Sequence, residues 1–480
     1  MDTDVLIIGA GPTGMTLANE LRVAGVSTVL VDKLAARSML SKAGGVQSRT
    51  QEAFDQRGLL EPLLATGNHQ ISTAHFAGIP LPLTRDRHRQ PWRSIPQVVV
   101  EGVLEDHLAA HDIHVRRNHE LIALTQNDKS VTATFADGVV IEAGYVVAAD
   151  GAHSTVRSLL HAEFPGSPGT VTVVAADVRL DGDAPALSHS WSDDGHWAQI
   201  FPLGTDPEGR PLHRLALGGP GRSLSREVPV TEDEIRAGLS SVFGSQVKLL
   251  ELRYARRITN AARQAARYRH GRVFLAGDAA HVHLPIGAQG MNTGIQDALN
   301  LGWKLAAAVN NWAPAHLLDT YHTERHPVAA AVLRNVQAQS LLMDWEGTRA
   351  PDITAAKSLF ASLATLPEVQ YHLDDTLSGM GIRYPFPATH PSTGLPAPNL
   401  PIGPTHLNTL LHPARPLLLD PTNTLAETAA PWSPLLTRIT HPTPHAPMLI
   451  RPDGYIAWTT DPTHNTDPLE PALTHWFGKP

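Results

Sequence analysis

The stretch that decides the fold comes first: Val5-Leu6-Ile7-Ile8-Gly9-Ala10-Gly11-Pro12-Thr13-Gly14. Four apolar residues in a row read as a buried parallel strand. The Gly-x-Gly-x-x-Gly spacing directly after it opens a helix whose apolar face is Leu17, Ala18 and Leu21 and whose stop is Gly25. Residues 28–31 form a second, β-branched strand that ends at Asp32. This is one βαβ unit. Gly9, Gly11 and Gly14 allow backbone N–H groups close to a pyrophosphate, toward which the positive end of the helix points. Asp32 stands where it accepts from a ribose hydroxyl, and its charge repels a 2′-phosphate, so NADPH is a poor occupant of this crevice.

Working outward, 480 residues predict two or three domains. With 42% hydrophobic and 18% charged residues the chain is globular in composition. A net charge of −8, with Lys and Arg dispersed, lacks the basic stripe of a nucleic-acid binder. There is no Cys, which excludes disulfides, Cys-ligated zinc, Fe–S clusters and thiol nucleophiles. Any redox work needs a borrowed cofactor. The acidic start Met1-Asp2-Thr3-Asp4 and the early stop of the apolar run at Gly9 do not make a signal peptide. No stretch reaches the ~18 apolar residues of a membrane span. The expectation is a cytoplasmic protein, monomer or homodimer, that binds neither membrane nor nucleic acid.

Further along, residues 98–110 read as a helix and 144–149 as a buried strand running into Asp150-Gly151. Residues 171–180, 197–201 and 212–217 alternate as strands of an inserted antiparallel sheet. Residues 272–276 return to a buried strand, and 290–310 form a helix with Ile295, Ala298, Leu299, Gly302, Leu305 and Ala306 on one side. About half of the 39 prolines fall in the last hundred residues, where lysine is nearly missing. A separate C-terminal module is expected there.

Two later turns identify the dinucleotide. Asp150-Gly151-Ala152-His153-Ser154-Thr155-Val156-Arg157 and Gly277-Asp278-Ala279-Ala280-His281 each follow a strand, more than a hundred residues apart. A plain NAD fold needs neither. An extended, permanently held dinucleotide needs both, with Asp278 set to bind polyol hydroxyls, and this reads as FAD.

On these three motifs the chain resembles the class A FAD-dependent aromatic hydroxylases, within them the polyketide hydroxylases and rifampicin monooxygenases. Supporting strings are Asp55-Gln56-Arg57-Gly58, Asn300-Leu301-Gly302-Trp303-Lys304, Glu324-Arg325-His326-Pro327 and Arg451-Pro452-Asp453-Gly454. The resemblance implies an α/β fold. A glutathione-reductase-like FAD domain (1–168 and 266–381) would carry an inserted substrate-binding sheet (169–265) and a C-terminal thioredoxin-like domain (382–480) that is redox-dead for want of Cys. It implies that Thr13, Asp32, Lys33, Gln97, Asp278, Met291 and Asn292 contact FAD. It also implies that the Asp150-Gly151 segment with Arg157 serves both FAD and NADPH or NADH. Ser41-Lys42-Ala43 departs from the family's Ser-Arg-Ala, and an ammonium at Lys42 cannot make a guanidinium's bidentate phosphate contact. Ala288 stands where the family shows glycine.

The activity so implied is hydroxylation of a bulky phenolic or quinoid polyketide by O2 and NAD(P)H through a flavin C4a-hydroperoxide. Inactivation of a rifamycin-type antibiotic, a Baeyer–Villiger or epoxidising reaction, and a flavin-binding interaction protein are the alternatives. The cofactor does the hard step, so no protein nucleophile is required. Pro285, Gly287 and Gly290 lead into a helix whose N–H groups and dipole suit the negative charge of a reduced flavin. Trp197, Phe201 and Arg214 are candidate substrate contacts. The His107/His111 and His322/His326 pairs have helical spacing but no evident third ligand, so no metal is expected.

Overall fold

The computed structural model describes residues 1–480 except 67–68, 84–89, 182–187, 206–207, 347, 349, 388–389, 444 and 461–466. Strand β1 (Thr3–Ile8), helix α1 (Pro12–Val23) and strand β2 (Thr28–Val31) make a parallel crossover with Ile8 opposite Val31. Val5, Leu6 and Ile7 are fully buried, as are Leu17, Ala18 and Leu21 of α1. A parallel strand covered on both faces has no polar side, which explains the unbroken apolar run.

A hairpin of β3 (Thr73–Phe76) and β4 (Ile79–Pro82) turns through Ala77 and Gly78, both at positive φ. Helix α2 (Gln97–Ala109) precedes an antiparallel ribbon, β5 (Leu121–Gln126) and β6 (Val131–Phe135), which leads into β7 (Val140–Ala148). The last part of β7 is the expected buried strand, and it lies parallel to β1 with Ile8 opposite Ala148.

The chain then leaves this sheet to build a second one. Strands β8 (Thr172–Asp181), β9 (Ser188–Trp191), β10 (Trp197–Thr205), β11 (Pro211–Gly218) and β12 (Lys248–Thr259) form a five-stranded antiparallel sheet in the order β9-β10-β11-β8-β12. Helix α3 (Glu232–Phe243) covers its outer face, where Val174, Ala176, Ala198, Ile200, Leu215 and Leu217 pack with Ile235 and Leu239. Alternation along each strand therefore sends Trp197, Gln199, Phe201, Arg214 and Asp177 to the inner face.

Strands β13 (Arg269–His270) and β14 (Val273–Leu275) rejoin the first sheet, whose order becomes β13-β14-β7-β1-β2. Helix α4 (Gln289–Val309) runs through the centre against α1, with Gly302 admitting the side chains of Glu20 and Leu17. Helices α5 (Thr320–Leu342), α6 (Pro351–Leu363) and α7 (Pro367–Ser378) follow. The C-terminal module holds β15 (Leu417–Leu419), β16 (Thr437–Ile439), β17 (Met448–Ile450) and β18 (Ile456–Thr459) in the order β16-β15-β17-β18, closed by α8 (Leu469–Phe477). Its Leu418, Trp432, Trp458, Trp476 and Phe477 share one apolar cluster with Trp303 and Ala307 of α4. No helix among the described residues is long and apolar enough to cross a membrane.

Candidate active site

The three glycine/aspartate turns converge. Gly9, at φ +104, sits so close to β7 that a Cβ there would lie 2.3 Å from the Ala149 carbonyl oxygen and 2.9 Å from Asp150 Cα. This joins the first turn to the second. Thr13 joins the first to the third: Cβ atoms at Gly277 and Gly294 would lie 2.6 and 2.4 Å from its Oγ1. Arg157 joins the second to the third, donating from Nη1 to the Ala279 carbonyl at 2.9 Å and from Nη2 to that of Ala152 at 2.8 Å. Its role in the fold is thus a latch between two turns rather than a surface ion pair.

The pocket so formed fits a dinucleotide. A Cβ on Gly14 would strike the Gly9 carbonyl oxygen at 2.0 Å, whereas one on Gly11 meets no protein atom within 4 Å. The first glycine is demanded by packing, and the second lies open toward an occupant. No side chain caps the N-terminus of α1, so its N–H groups remain free to face phosphate. Asp32 is tied on both oxygens, accepting from Ala10 N–H at 2.8 Å and Leu34 N–H at 2.9 Å, and keeps lone pairs to spare. Asp278 is the exposed residue in an otherwise buried turn. Asp150 Oδ2 accepts from Val156 N–H at 3.1 Å, while Oδ1 is buried without a partner among the described residues. Burial raises the pKa of this carboxyl.

The turn at 285–290 is held from behind. Gln47 Nε2 donates to the Gly287 carbonyl at 3.0 Å. Asn292 accepts from Gln47 N–H at 3.0 Å and donates to the carbonyls of Gly45 and Ala288. The Asn292 side chain is therefore spent on the backbone that shapes the turn. Gly287 and Ala288 both lie in the left-handed region, at φ +71 and +53, and no side chain caps α4 behind them. Pro285 is exposed, and Gly290 and Met291 are half-buried at the start of α4. Gly44 and Gly45 border the turn: a Cβ on Gly45 would lie 3.6 Å from Ala288 Cβ, and one on Gly44 3.6 Å from Leu203 Cδ2 of the inserted sheet. Gln97 secures this segment by accepting from Ala43 N–H at 3.2 Å.

The candidate substrate contacts fare differently. Trp197 is fully buried and donates its indole N–H to the Trp345 carbonyl at 3.1 Å, so it is core, not pocket lining. Its strand parity is right, but Trp191 and Trp345 pack over it. Arg214 pairs with Asp177 at 2.7 Å and donates to the carbonyls of Ser41 and Lys42, bracing the sheet against the glycine segment. Phe201 remains half-buried on the inner face, beside His75. Lys33 and Lys42 are exposed and, with Arg157 and Arg226, depress the pKa of His153 after burial has done so. His322 meets Tyr268 edge-on at 5.7 Å and His326 lies tilted against it at 5.3 Å.

Sequence reasoning missed Asp297. Buried on α4, it accepts from Gly277 N–H at 3.1 Å, His281 Nε2 at 2.8 Å and Arg325 Nε at 2.7 Å. Burial acts to raise its pKa, but Arg325 and His281 hold it below the ordinary value. It fixes the turn that presents Asp278. The local sequence gave no signal for it, because Asp297 lies on the side of the helix opposite Ile295, Ala298, Leu299 and Gly302, where an acidic residue reads as a solvated face.

Residues 2–336 match the FAD binding domain family and residues 390–480 the aromatic-ring hydroxylase C-terminal family. The chain is 39% identical, over 100% of both chains, to the 12-dehydrotetracycline 5-monooxygenase/anhydrotetracycline 6-monooxygenase of Streptomyces rimosus. It is 37% identical to the rifampicin monooxygenase of Streptomyces venezuelae, over 99% of this chain and 98% of that one. The solved structure of an anhydrotetracycline hydroxylase from Streptomyces rimosus superposes with a TM-score of 0.89 at 39% identity, covering 100% of both chains.

Proposed function

The chain belongs to the FAD-dependent aromatic hydroxylases, monooxygenases that use NAD(P)H and O2, and from that premise we propose that its substrate is a bulky phenolic or quinoid polyketide held under the inserted sheet. The observation that carries this reading is the continuity of one apolar wall. Phe76, Trp92, Leu284, Ile286 and Leu377 are the buried back of a single cluster, and Trp191, Ile79 and Phe360, packed against it, stay half-buried. Leu284 and Ile286 are also part of the turn that enters α4, so the wall runs to the flavin end of the site. A flat polycyclic aromatic matches such a lining, and the named substrates of the relatives, anhydrotetracycline and rifampicin, are large polycycles.

Bound FAD supplies the electrons and the activation of O2. The chain's share is positional. Asp278 and Asp32 hold hydroxyls, the free N–H groups of α1 hold phosphate, and the N-terminus of α4 stabilises negative charge on the ring. The apolar wall excludes water from the reacting centre. Lys33, Lys42 and Arg157 form the cationic rim at which a second, transient dinucleotide docks. The C-terminal module is read as thioredoxin-like, on the strength of one parallel and two antiparallel pairings followed by a helix. Without Cys it does no thiol chemistry.

Stopped-flow reduction of the enzyme-bound flavin by NADPH tests the reading, with anhydrotetracycline, rifampicin and a set of hydroxyanthraquinones as effectors. Acceleration by at least one polycycle, with an oxygenated product, is expected. No acceleration by any of them would sink the substrate class. A ring-opened rifamycin product would favour antibiotic inactivation over ring hydroxylation.

A further inference from the structure

His75 and Gln199 meet beneath the sheet, at the edge of the apolar wall. His75 stands on β3. Gln199 stands on the inner face of β10, two residues before Phe201, whose ring centroid is 6.4 Å from that of His75. The Gly78 backbone N–H donates to His75 Nδ1 at 3.3 Å. A backbone N–H cannot be turned round, so Nδ1 is an acceptor. The ring is neutral, because burial, and to a lesser degree Lys357, lowers its pKa to about 4. Its one ring proton therefore sits on Nε2.

One end of the Gln199 terminal amide lies 3.0 Å from that Nε2. Two N–H donors cannot face each other. The ends of an amide are isosteric and the network chooses between them, so the oxygen belongs toward His75 and the NH2 group points away. That NH2 has no partner among the described residues, and the side chain is only 7% exposed. Its cross-strand neighbour on β11, Ala216, offers only a methyl group. In the free enzyme that end has only water to bond, and a ligand that displaces the water must supply an acceptor in its place.

We propose that the Gln199 NH2 group donates to a carbonyl or phenolate oxygen of the substrate, with His75 as the positioning residue that holds the amide in that sense. This rests on the substrate lying under the sheet. It adds a selection rule: a ligand must offer an acceptor oxygen there, since a C–H or N–H would displace water and leave the donor unpaired.

The test is equilibrium titration of the FAD-loaded enzyme with anhydrotetracycline, without NADPH, followed by perturbation of the visible flavin band. Gln199→Leu should weaken binding roughly 10- to 100-fold, with FAD retained and the melting temperature near wild type. Gln199→Glu is the second variant. Its carboxylate repels the ligand oxygen, and its protonated form donates to it. Its affinity relative to wild type at the same pH should therefore recover roughly tenfold on going from pH 8 to pH 5.5, which a purely structural role would not produce. Wild-type affinity in Gln199→Leu, or a pH-independent deficit in Gln199→Glu, overturns the proposal and leaves the substrate class standing. Failure of the wild-type enzyme to bind anhydrotetracycline, rifampicin or any hydroxyanthraquinone overturns both.

Discussion

Replacing Arg451 by Met asks what fastens the C-terminal module to the rest of the chain. The Arg451 side chain is completely buried. Its Nη1 and Nη2 donate to Glu324 Oε1 and Oε2, both at 2.8 Å, and its Nε donates to Asp453 Oδ1 at 3.0 Å. Phe386 and Trp476 lie 4.5 Å from its Cζ, with Trp303 and Tyr384 at 5.1 and 5.4 Å. Met roughly fills the same volume, so the perturbation is mainly electrical. It leaves Glu324 with Lys304 at 2.9 Å and Asn300, and leaves Asp453 short of its cation.

Burial acts to raise the Glu324 pKa, but Arg451 and Lys304 hold it at about 2, against an ordinary 4.5. That difference corresponds to about 3 kcal/mol of stabilisation, which is present above the unfolded-state pKa and lost as pH falls toward 2. It agrees with the ~3–5 kcal/mol usual for breaking one side of a buried ion pair. For a module of roughly 100 residues such a loss lowers melting by more than about 10 °C. Thermal unfolding at pH 7.5 should therefore show an early transition in tryptophan fluorescence, since Trp432, Trp458 and Trp476 lie in that module. Adding Glu324→Gln to Arg451→Met should recover part of the loss by removing the stranded charge. A shift under about 4 °C, or a double variant no better than the single one, would refute the reasoning.

Other outcomes follow from the same geometry. Gly11→Ala should fold with near wild-type melting yet bind FAD weakly, because its methyl group meets no protein atom, whereas Gly14→Ala should lose fold and cofactor together; flavin content and melting of the two purified proteins separate the cases. Arg157→Met should loosen FAD as well as slow reduction by NADPH, since it frees the Ala152 and Ala279 carbonyls from a common donor, and unchanged FAD affinity would contradict the latch. Ala288→Gly should raise melting slightly, by relieving about 1 kcal/mol of left-handed strain, and a lower melting temperature would mean the strain is not there. His75, with a pKa lowered to about 4, makes the unfolded chain bind the extra proton between its ordinary value and pH 4. Stability should then fall by about 3 kcal/mol as pH drops through that window, and His75→Gln should flatten that part of the profile.

Much of the fold was legible because its signals are local. The run of residues 5–8, the glycines after it and Asp32 sit within one crossover, where backbone sterics alone dictate the turn. Strand β12 was not legible. Its sequence Lys248-Leu249-Leu250-Glu251-Leu252-Arg253-Tyr254-Ala255-Arg256-Arg257 puts charges on both faces, since Arg257 pairs with Glu234 of α3 outside while Arg256 faces inward near Arg214 and Asp177. The hairpin β3–β4 and helices α6 and α7 escaped for a similar reason: α6 buries no residue, so it carries no clean amphipathic stripe.

The amino-acid sequence by itself determined that a βαβ crossover opens the chain, that three glycine/aspartate turns exist, and that redox chemistry must come from a cofactor. These follow from steric limits and composition, which need no knowledge of distant residues. Only the tertiary structure decided which polar groups are spent and which are free. Asn292, Arg214 and Trp197 carry the right chemistry for a ligand but are consumed by backbone carbonyls or packing. Asp278 and Gln199 keep unspent groups. Arg451 meets Glu324 across 127 residues, and Asp453 with them. A hydrogen-bonding group's role is set by what has already claimed it in three dimensions, and no spacing along the chain records that claim.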